Sequence, residues 1–405
     1  MRKKTAPADQ EAAREYFMIK LTVLVFLSFL FLGAPNSLIG TAWPAAYPGL
    51  GVPLSWASGL SCASQCAMVA ASFFSGRLSR RLSTGPAIGI CLLVMALSLL
   101  GISAGGSYWL YLLFCVPLGL GMGFLDVSMN SFAALHLPAW CMSWLHGFWS
   151  LGAMAGPYVM AFYLRDEDWR GGYAAIGRAT LLFAALMALS LPWWKKAGFA
   201  GGRQEDISGS AMTAGEILHL RGIAEASGTL VLYNAVEGTA FLWGSSYLVL
   251  SRGITEAAAA RWISLFFLGI ALGRIGCGFL AMRLPGQTIV RLGEGAAALG
   301  IFCMLIPAGE SILPAGFLLT GVGCGPIYPT TLRSTPEIFG KEAAKAVMGV
   351  QIAIAYAGSA LLPAVFGWFG EHVSMALLPY FLLLFLAGTV AASERLNRIR
   401  KKAGA

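Results

Sequence analysis

Residues Pro117–Pro157 read PLGLGMGFLDVSMNSFAALHLPAWCMSWLHGFWSLGAMAGP: an apolar run of helical length, a turn near Pro138, and a second apolar run. Asp126, Asn130 and His146 stand inside these runs. Placing a carboxylate toward the middle of a bilayer costs a few kcal/mol, so a buried acid of this kind marks a functional site by default. At 100° per residue, Gly119, Gly123, Asp126 and Asn130 fall within about 60° of one another. One narrow face therefore carries two small and two polar residues. In the second run His146, Ser150 and Pro157 share a face within about 40°, flanked by Trp149. The two faces are expected to look at each other or into one cavity, with Asn130 matching His146 in depth and Asp126 meeting Ser150.

The rest of the chain has the same character. Of 405 residues, 57% are hydrophobic and only 12% charged, with 50 glycines, which excludes a soluble multidomain protein. Small residues let membrane helices approach closely. The net charge of +9 is spread over the ends of apolar runs, so it argues for membrane topology and against nucleic-acid binding. Eight cysteines lie in or beside apolar segments without metal-site spacing, and they read as small packing residues. The first apolar run is too long for a cleavable leader.

Twelve segments have spanning length: 18–42, 54–75, 86–103, 108–135, 141–163, 173–193, 226–250, 257–280, 288–306, 312–334, 343–368 and 375–392. The expected organisation is a tail (1–17), a six-helix half (18–193), a polar linker (194–225), a second six-helix half (226–392) and a tail (393–405). Lys and Arg gather on one side, at Arg2–Lys4, Arg77–Arg81, Lys195–Lys196, Arg283 and Arg395–Lys402, leaving Arg165, Arg170, Arg178, Arg252 and Arg261 on the other. By the positive-inside rule both termini and the linker are cytoplasmic, in a bacterial-type plasma membrane.

The halves are related. Gly76, Leu78 and Arg81 recur as Gly278, Leu280 and Arg283, and Gly119, Gly121 and Gly123 recur as Gly321, Gly323 and Gly325, all at a shift of 202. Two matches at one offset imply a duplication of six helices in the same orientation, with a site between the halves near mid-membrane. The expected fold is therefore an all-α polytopic bundle of twelve transmembrane helices in two pseudo-symmetric halves. Asp126 maps onto Tyr328, so the acid belongs to the first half alone.

The glycine- and arginine-rich turns, Gly76–Arg81 and Gly273–Arg283, either serve topology or form an inner gate. In the gate, Arg77, Arg81, Arg274 and Arg283 pair with neighbouring carboxylates or carbonyls in one conformation only. Glu237 shares a face of about 80° with Tyr233, Gly244 and Tyr247, a carboxylate and aromatic face that suits a polyol; a buried neutral acid or an arginine pair is the alternative. Arg291, three residues before Glu294, is expected to pair with it locally. Asn36, Gln65, Asn234, Gln351 and Tyr356 are uncharged polar groups within spans; of these, Asn234 and Gln351 are expected to reach a substrate.

Twelve spans, repeated Gly and Arg loops and a polar central connection resemble the major facilitator superfamily over essentially the whole chain. Within it, 121-GMGFLDVSMN-130, 144-WLHG-147, 151-LGAMAGP-157, 233-YNAVEG-238 with Trp243 and Tyr247, and 321-GVGCGPIYP-329 resemble the fucose:proton symporter family and its YbjJ-like relatives. The resemblance implies a proton-coupling or sugar-contacting carboxylate at Asp126 with Asn130 beside it. The fucose symporter has a second acid in its first helix, whereas residues 18–44 here contain none.

The sequence thus points to a functional monomer importing a sugar or similar small polar metabolite with protons, Na⁺ being the other candidate coupling ion. Asp126 and His146 are assigned to the proton. Asn130, Trp149, Tyr233, Asn234, Glu237, Tyr247, Tyr328 and Gln351 are assigned to the substrate. No cofactor, metal site, Walker loop or catalytic constellation is legible, so the chain is read as a non-enzyme. The rivals are a proton-driven exporter of amphipathic compounds and a non-transporting membrane sensor. The Gly-Pro pair at 156–157 resembles a motif of drug/proton antiporters, but Met160 and Ala161 stand where further glycines would follow.

Overall fold

A computed structural model describes residues 7–79, 83–138, 140–197, 214–306 and 311–403. In order the α-helices are α1 (Pro7–Asn36), α2 (Leu38–Leu50), α3 (Ala57–Ser79), α4 (Thr84–Ala104), α5 (Tyr108–His136), α6 (Trp140–Tyr163), α7 (Trp169–Leu189) and α8 (Leu191–Lys196) in the first part. They continue as α9 (Ala214–Leu218), α10 (Ile223–Arg252), α11 (Glu256–Leu280), α12 (Gly286–Leu305), α13 (Ile312–Cys324), α14 (Ile327–Arg333), α15 (Thr335–Phe339), α16 (Lys341–His372) and α17 (Leu378–Ala403). The first expected span is broken at Ser37, between Pro35 of α1 and Pro44 of α2, and the tenth at Gly325–Pro326, because proline removes a helical hydrogen bond. Helices α1 and α17 outrun the apolar segments into the expected tails, since apolar length fixes where a helix crosses and not where it ends. Residues 198–213 of the linker lie outside the described part.

Among the described residues, nine helices or runs of joined helices are long and apolar enough to cross a membrane unaided. Helices α3, α6 and α10 fall outside that set. They are the ones that carry Gln65, His146, and Asn234 with Glu237. Around the perimeter Leu113, Tyr158, Phe162, Leu182, Leu189 and Leu384 face outward, a covering suited to lipid and not to water.

The duplication holds in three dimensions. A Cβ on Gly119 or Gly123 of α5 would strike the Ser64 or Met68 carbonyl of α3, and one on Gly321 of α13 or on Gly325 just after it would strike the Phe266 or Ile270 carbonyl of α11. Gly121 lies against Met95 and Cys91 of α4, and Gly323 against Gly293 and Ala297 of α12. Each triplet thus presses two glycines on one neighbour and the third on another, in both halves. The facing positions correspond too: Ala67 and Ala71 of α3 become Gly269 and Gly273 of α11 at the same shift.

Between the halves, α6 packs along α11, α2 on α10, and α3 on α16. At the end of the bundle away from the chain termini these contacts form a seal. Gly40 lies on the Phe241 and Leu242 backbone, Gly367 on Ser58, and the Ser55 N–H donates to Glu371 Oε2 at 2.7 Å. All eight cysteines are free. The expected Arg291–Glu294 pair is not made. Helix α17 beside α12 offers Glu394, which takes Arg291 in two hydrogen bonds of 2.5 and 2.8 Å, while buried Glu294 accepts from Ser393 Oγ at 2.7 Å.

Candidate functional site

Below the seal a cavity of about 230 Å³ lies between the halves, lined by α1, α3, α5 and α6 on one side and α10, α11, α14 and α16 on the other. Asp126, His146, Trp149, Asn234, Glu237, Arg274 and Tyr328 all face it. Of the two faces of the opening stretch, Gly123 and Asp126 on one and His146 and Trp149 on the other line this hollow, whereas Gly119, Asn130, Ser150 and Pro157 do not. Helix α5 packs on α3 and α4, and α6 on α1 and α11, so each faces the cavity from a different layer. The expected Asp126–Ser150 meeting does not occur: the Ser150 hydroxyl donates to the His146 carbonyl at 3.0 Å and accepts from Arg274 Nη1 at 3.2 Å.

The charged groups divide into two poles. At the first, Asp126 Oδ1 accepts from Asn130 Nδ2 at 2.9 Å, and the same amide also donates to the Asp126 carbonyl at 3.0 Å. Asn130 does not reach the cavity; its own Oδ1 is buried without a partner among the described residues. It therefore holds the acid from the protein side. Tyr328 and Tyr356 line the same hollow as Asp126, Arg274 and Glu237, and the Tyr328 ring stands 6.3 Å from that of Tyr233, centroid to centroid.

Arg274 forms the second pole. Its guanidinium lies over the Trp149 ring, 5.2 Å from the centroid, donates to Ser150 across the halves, and sits 3.8 Å from Glu237 Oε1. The other Glu237 oxygen accepts from the Tyr233 hydroxyl, one turn away on α10. His146 stands edge-on to Phe29, centroids 5.9 Å apart, and within reach of the Arg274 charge. Asn234 turns its amide to the Leu230 carbonyl of its own helix at 2.8 Å.

The sequence placed Arg274 in a gating turn. It stands instead well inside α11, because Gly273 marks a close approach to the Val322 carbonyl and not the end of a helix. Arg283 is exposed in the turn that follows α11, whereas the Arg77 side chain and Arg81 lie outside the described residues. Besides Asn130, three further expected substrate contacts are off the cavity. Tyr233 is buried behind Glu237. Tyr247 donates to the Met304 carbonyl at 3.1 Å and accepts from Arg252 Nε at 2.8 Å. Gln351 is buried and accepts from Thr335 Oγ1 at 3.0 Å. In each case another helix or a neighbouring turn supplies the polar partner that water or substrate would have supplied.

Asn36, Gln65 and Tyr356, which the sequence reading did not assign to the substrate, line the cavity, and so do Ser61, Ser72 and Ser359, which it passed over. Gln65 also donates to the Ser359 carbonyl at 3.3 Å, tying α3 to α16 across the halves. The repeat contained a signal for some of them. At the shift of 202, Gln65 pairs with Phe267, Ser72 with Arg274 and Asp126 with Tyr328, and all six residues face the cavity. The chemistry available is that of one acid, one guanidinium with a loosely held counter-acid, and several aromatic faces, all reachable from a single hollow.

A profile of the Major Facilitator Superfamily matches residues 25–309. The chain is 27% identical over 275 residues to the uncharacterized transporter y4wD of Sinorhizobium fredii, covering 66% of this chain and 70% of that protein. It is 22% identical over 290 residues to the glucose/mannose transporter GlcP of Bacillus subtilis, covering 69% and 70%. Among solved structures, a point mutant of the nucleoside transporter NupG superposes with a TM-score of 0.76 at 14% identity, covering 94% of this chain and 99% of that one.

Proposed function

Because the chain belongs to the Major Facilitator Superfamily, a family of multi-pass membrane transporters, we propose that it carries a sugar or similar small polar metabolite together with a proton by alternating access. The observation that carries this reading is Asp126, an acid of the first half alone, facing the cavity between the halves with Asn130 behind it. An acid in a hollow reached first from one side and then from the other can load a proton on one side and release it on the second. His146, exposed to the same hollow, is the second proton group of the scheme.

The aromatic faces of Trp149, Tyr328 and Tyr356 with the polar groups of Asn234 and Glu237 suit a polyhydroxylated ligand, since rings cover C–H surfaces and oxygens accept hydroxyl hydrogens. The likeness to the glucose/mannose transporter GlcP favours the same class, as does the resemblance of 121-GMGFLDVSMN-130 and 321-GVGCGPIYP-329 to the fucose:proton symporter family. In this scheme 18–193 and 226–392 are the two moving halves, joined by 194–225 in the cytoplasm with both termini. Arg77, Arg81 and Arg283 belong to the gate on that side, and the monomer is the working unit.

The test is uptake of a panel of sugars and related metabolites into proteoliposomes, acid outside, with wild type beside Asp126→Asn. A gradient of one pH unit is worth about 1.4 kcal/mol, or roughly tenfold accumulation for one proton per substrate. Wild type is expected to concentrate its substrate and the variant only to equilibrate it. Equal accumulation by both removes Asp126 as the coupling group; accumulation driven by Na⁺ alone removes the proton; expulsion of amphipathic cations with no sugar flux replaces import by export.

A further inference from the structure

Arg274 is absorbed neither by topology nor by proton coupling. It lies inside α11, its side chain only 17% exposed, with the guanidinium carbon over the Trp149 ring and the cavity beside it. A guanidinium stacked on a ring uses its flat face and leaves the N–H edge to hydrogen-bond in plane, where five donors are available. Among the described residues one hydrogen bond uses that edge, from Nη1 to Ser150 Oγ. The nearest carboxylate, Glu237, stands off at 3.8 Å, beyond hydrogen-bonding distance, because the Tyr233 hydroxyl holds its other oxygen. A half-buried cation with idle donors facing a hollow is an incomplete site, since such an edge matches a carboxylate with two parallel hydrogen bonds.

Resting on the transport reading above, we infer that the substrate is a sugar acid, a polyhydroxylated monocarboxylate of the uronate or aldonate type, whose carboxylate is held by Arg274. Glu237 is the placeholder that keeps the guanidinium partly compensated when the cavity is empty. Trp149 and Ser150 keep its edge turned toward the ligand. A phosphate ester fits less well, because about two negative charges would meet one guanidinium that already has Glu237 beside it. The charge count also closes: one carboxylate entering with the one proton carried by Asp126 moves no net charge.

The experiment uses the full-length protein in proteoliposomes, with labelled galacturonate and labelled galactose under an imposed pH gradient, and then under a potassium diffusion potential at equal pH. The expected result is gradient-driven galacturonate uptake, competed by gluconate and not by galactose, and insensitive to the potential. Arg274→Gln is expected to lower that uptake by at least about tenfold, the cost of removing one partner of a buried charge pair, and Arg274→Lys to recover part of it. Galactose uptake driven by the potential, with galacturonate neither carried nor competing, overturns the sugar-acid assignment and leaves neutral-sugar symport standing. Full galacturonate uptake by a correctly inserted Arg274→Gln protein removes Arg274 from recognition. Flux of neither compound overturns the sugar-acid assignment, and the panel of sugars and related metabolites described above then decides separately whether the transport reading stands.

Discussion

Helix α5 in the first half and the α13–α14 pair in the second descend from the same segment, yet they agree and disagree at different places. Their glycines at 119, 121 and 123 and at 321, 323 and 325 press on equivalent neighbours, backbone against backbone. One turn further on, the agreement stops: Asp126 faces the cavity from one side and Tyr328 from the other, and Pro326 breaks the second helix where the first runs on unbroken. The pairs Ser72 and Arg274, and Gln65 and Phe267, differ in the same way. Contacts between helices within a half are held to the repeat because a side chain there has no room. Positions on the cavity are free to diverge because they touch only ligand, and the divergence gives each half its own charge.

That comparison can be broken most forcefully at the glycines. Gly119→Leu and Gly321→Leu each drive a side chain into a facing carbonyl, and overpacking costs about 1–3 kcal/mol or more. Both are expected to abolish monodisperse protein in detergent, measured by size exclusion; if only one does, the two contacts are not equivalent. Next come the unlike positions. Asp126→Asn is expected to keep solute exchange but lose accumulation along a pH gradient, whereas Tyr328→Phe, which removes only a hydroxyl, should change uptake by no more than about threefold. Comparable losses in the two variants sink the idea that charge has been divided between the halves.

A smaller effect is expected at the seal. Glu371→Ala leaves the Ser55 N–H without its cross-half acceptor and weakens the closed end by roughly 1–2 kcal/mol. Distances between labels placed across that end should shift toward the separated population, with substrate affinity little changed. The smallest concerns Tyr233→Phe, which frees the second oxygen of Glu237. Glu237 is then expected to close on Arg274 and compete with a carboxylate substrate, raising KM by about two- to fivefold while leaving kcat near wild type. An unchanged KM argues that Glu237 does not move.

Much of the architecture could be read from the chain alone. The lengths of the apolar runs give the number of crossings, and two matches at one offset give the duplication, since both follow from bilayer thickness and from the scarcity of space between helices. Asp126, His146, Trp149, Asn234, Glu237 and Tyr328 were also legible as cavity residues, because a polar or aromatic face on a spanning helix has few other places to go.

What the chain could not reveal is which polar groups are satisfied by another helix. Gln351 and Tyr247 look no different in sequence from Asn234, yet Thr335 and the Met304 carbonyl take them out of the cavity. Gln65 and Tyr356 had the same standing and are turned into it. The glycine before Arg274 reads in sequence as the start of a turn, yet Gly273 packs against the Val322 carbonyl and α11 runs on to Leu280. A polar atom in a membrane must find a partner, and composition fixes that demand; only the rotation and packing of neighbouring helices decide whether the partner is protein or the occupant of the hollow.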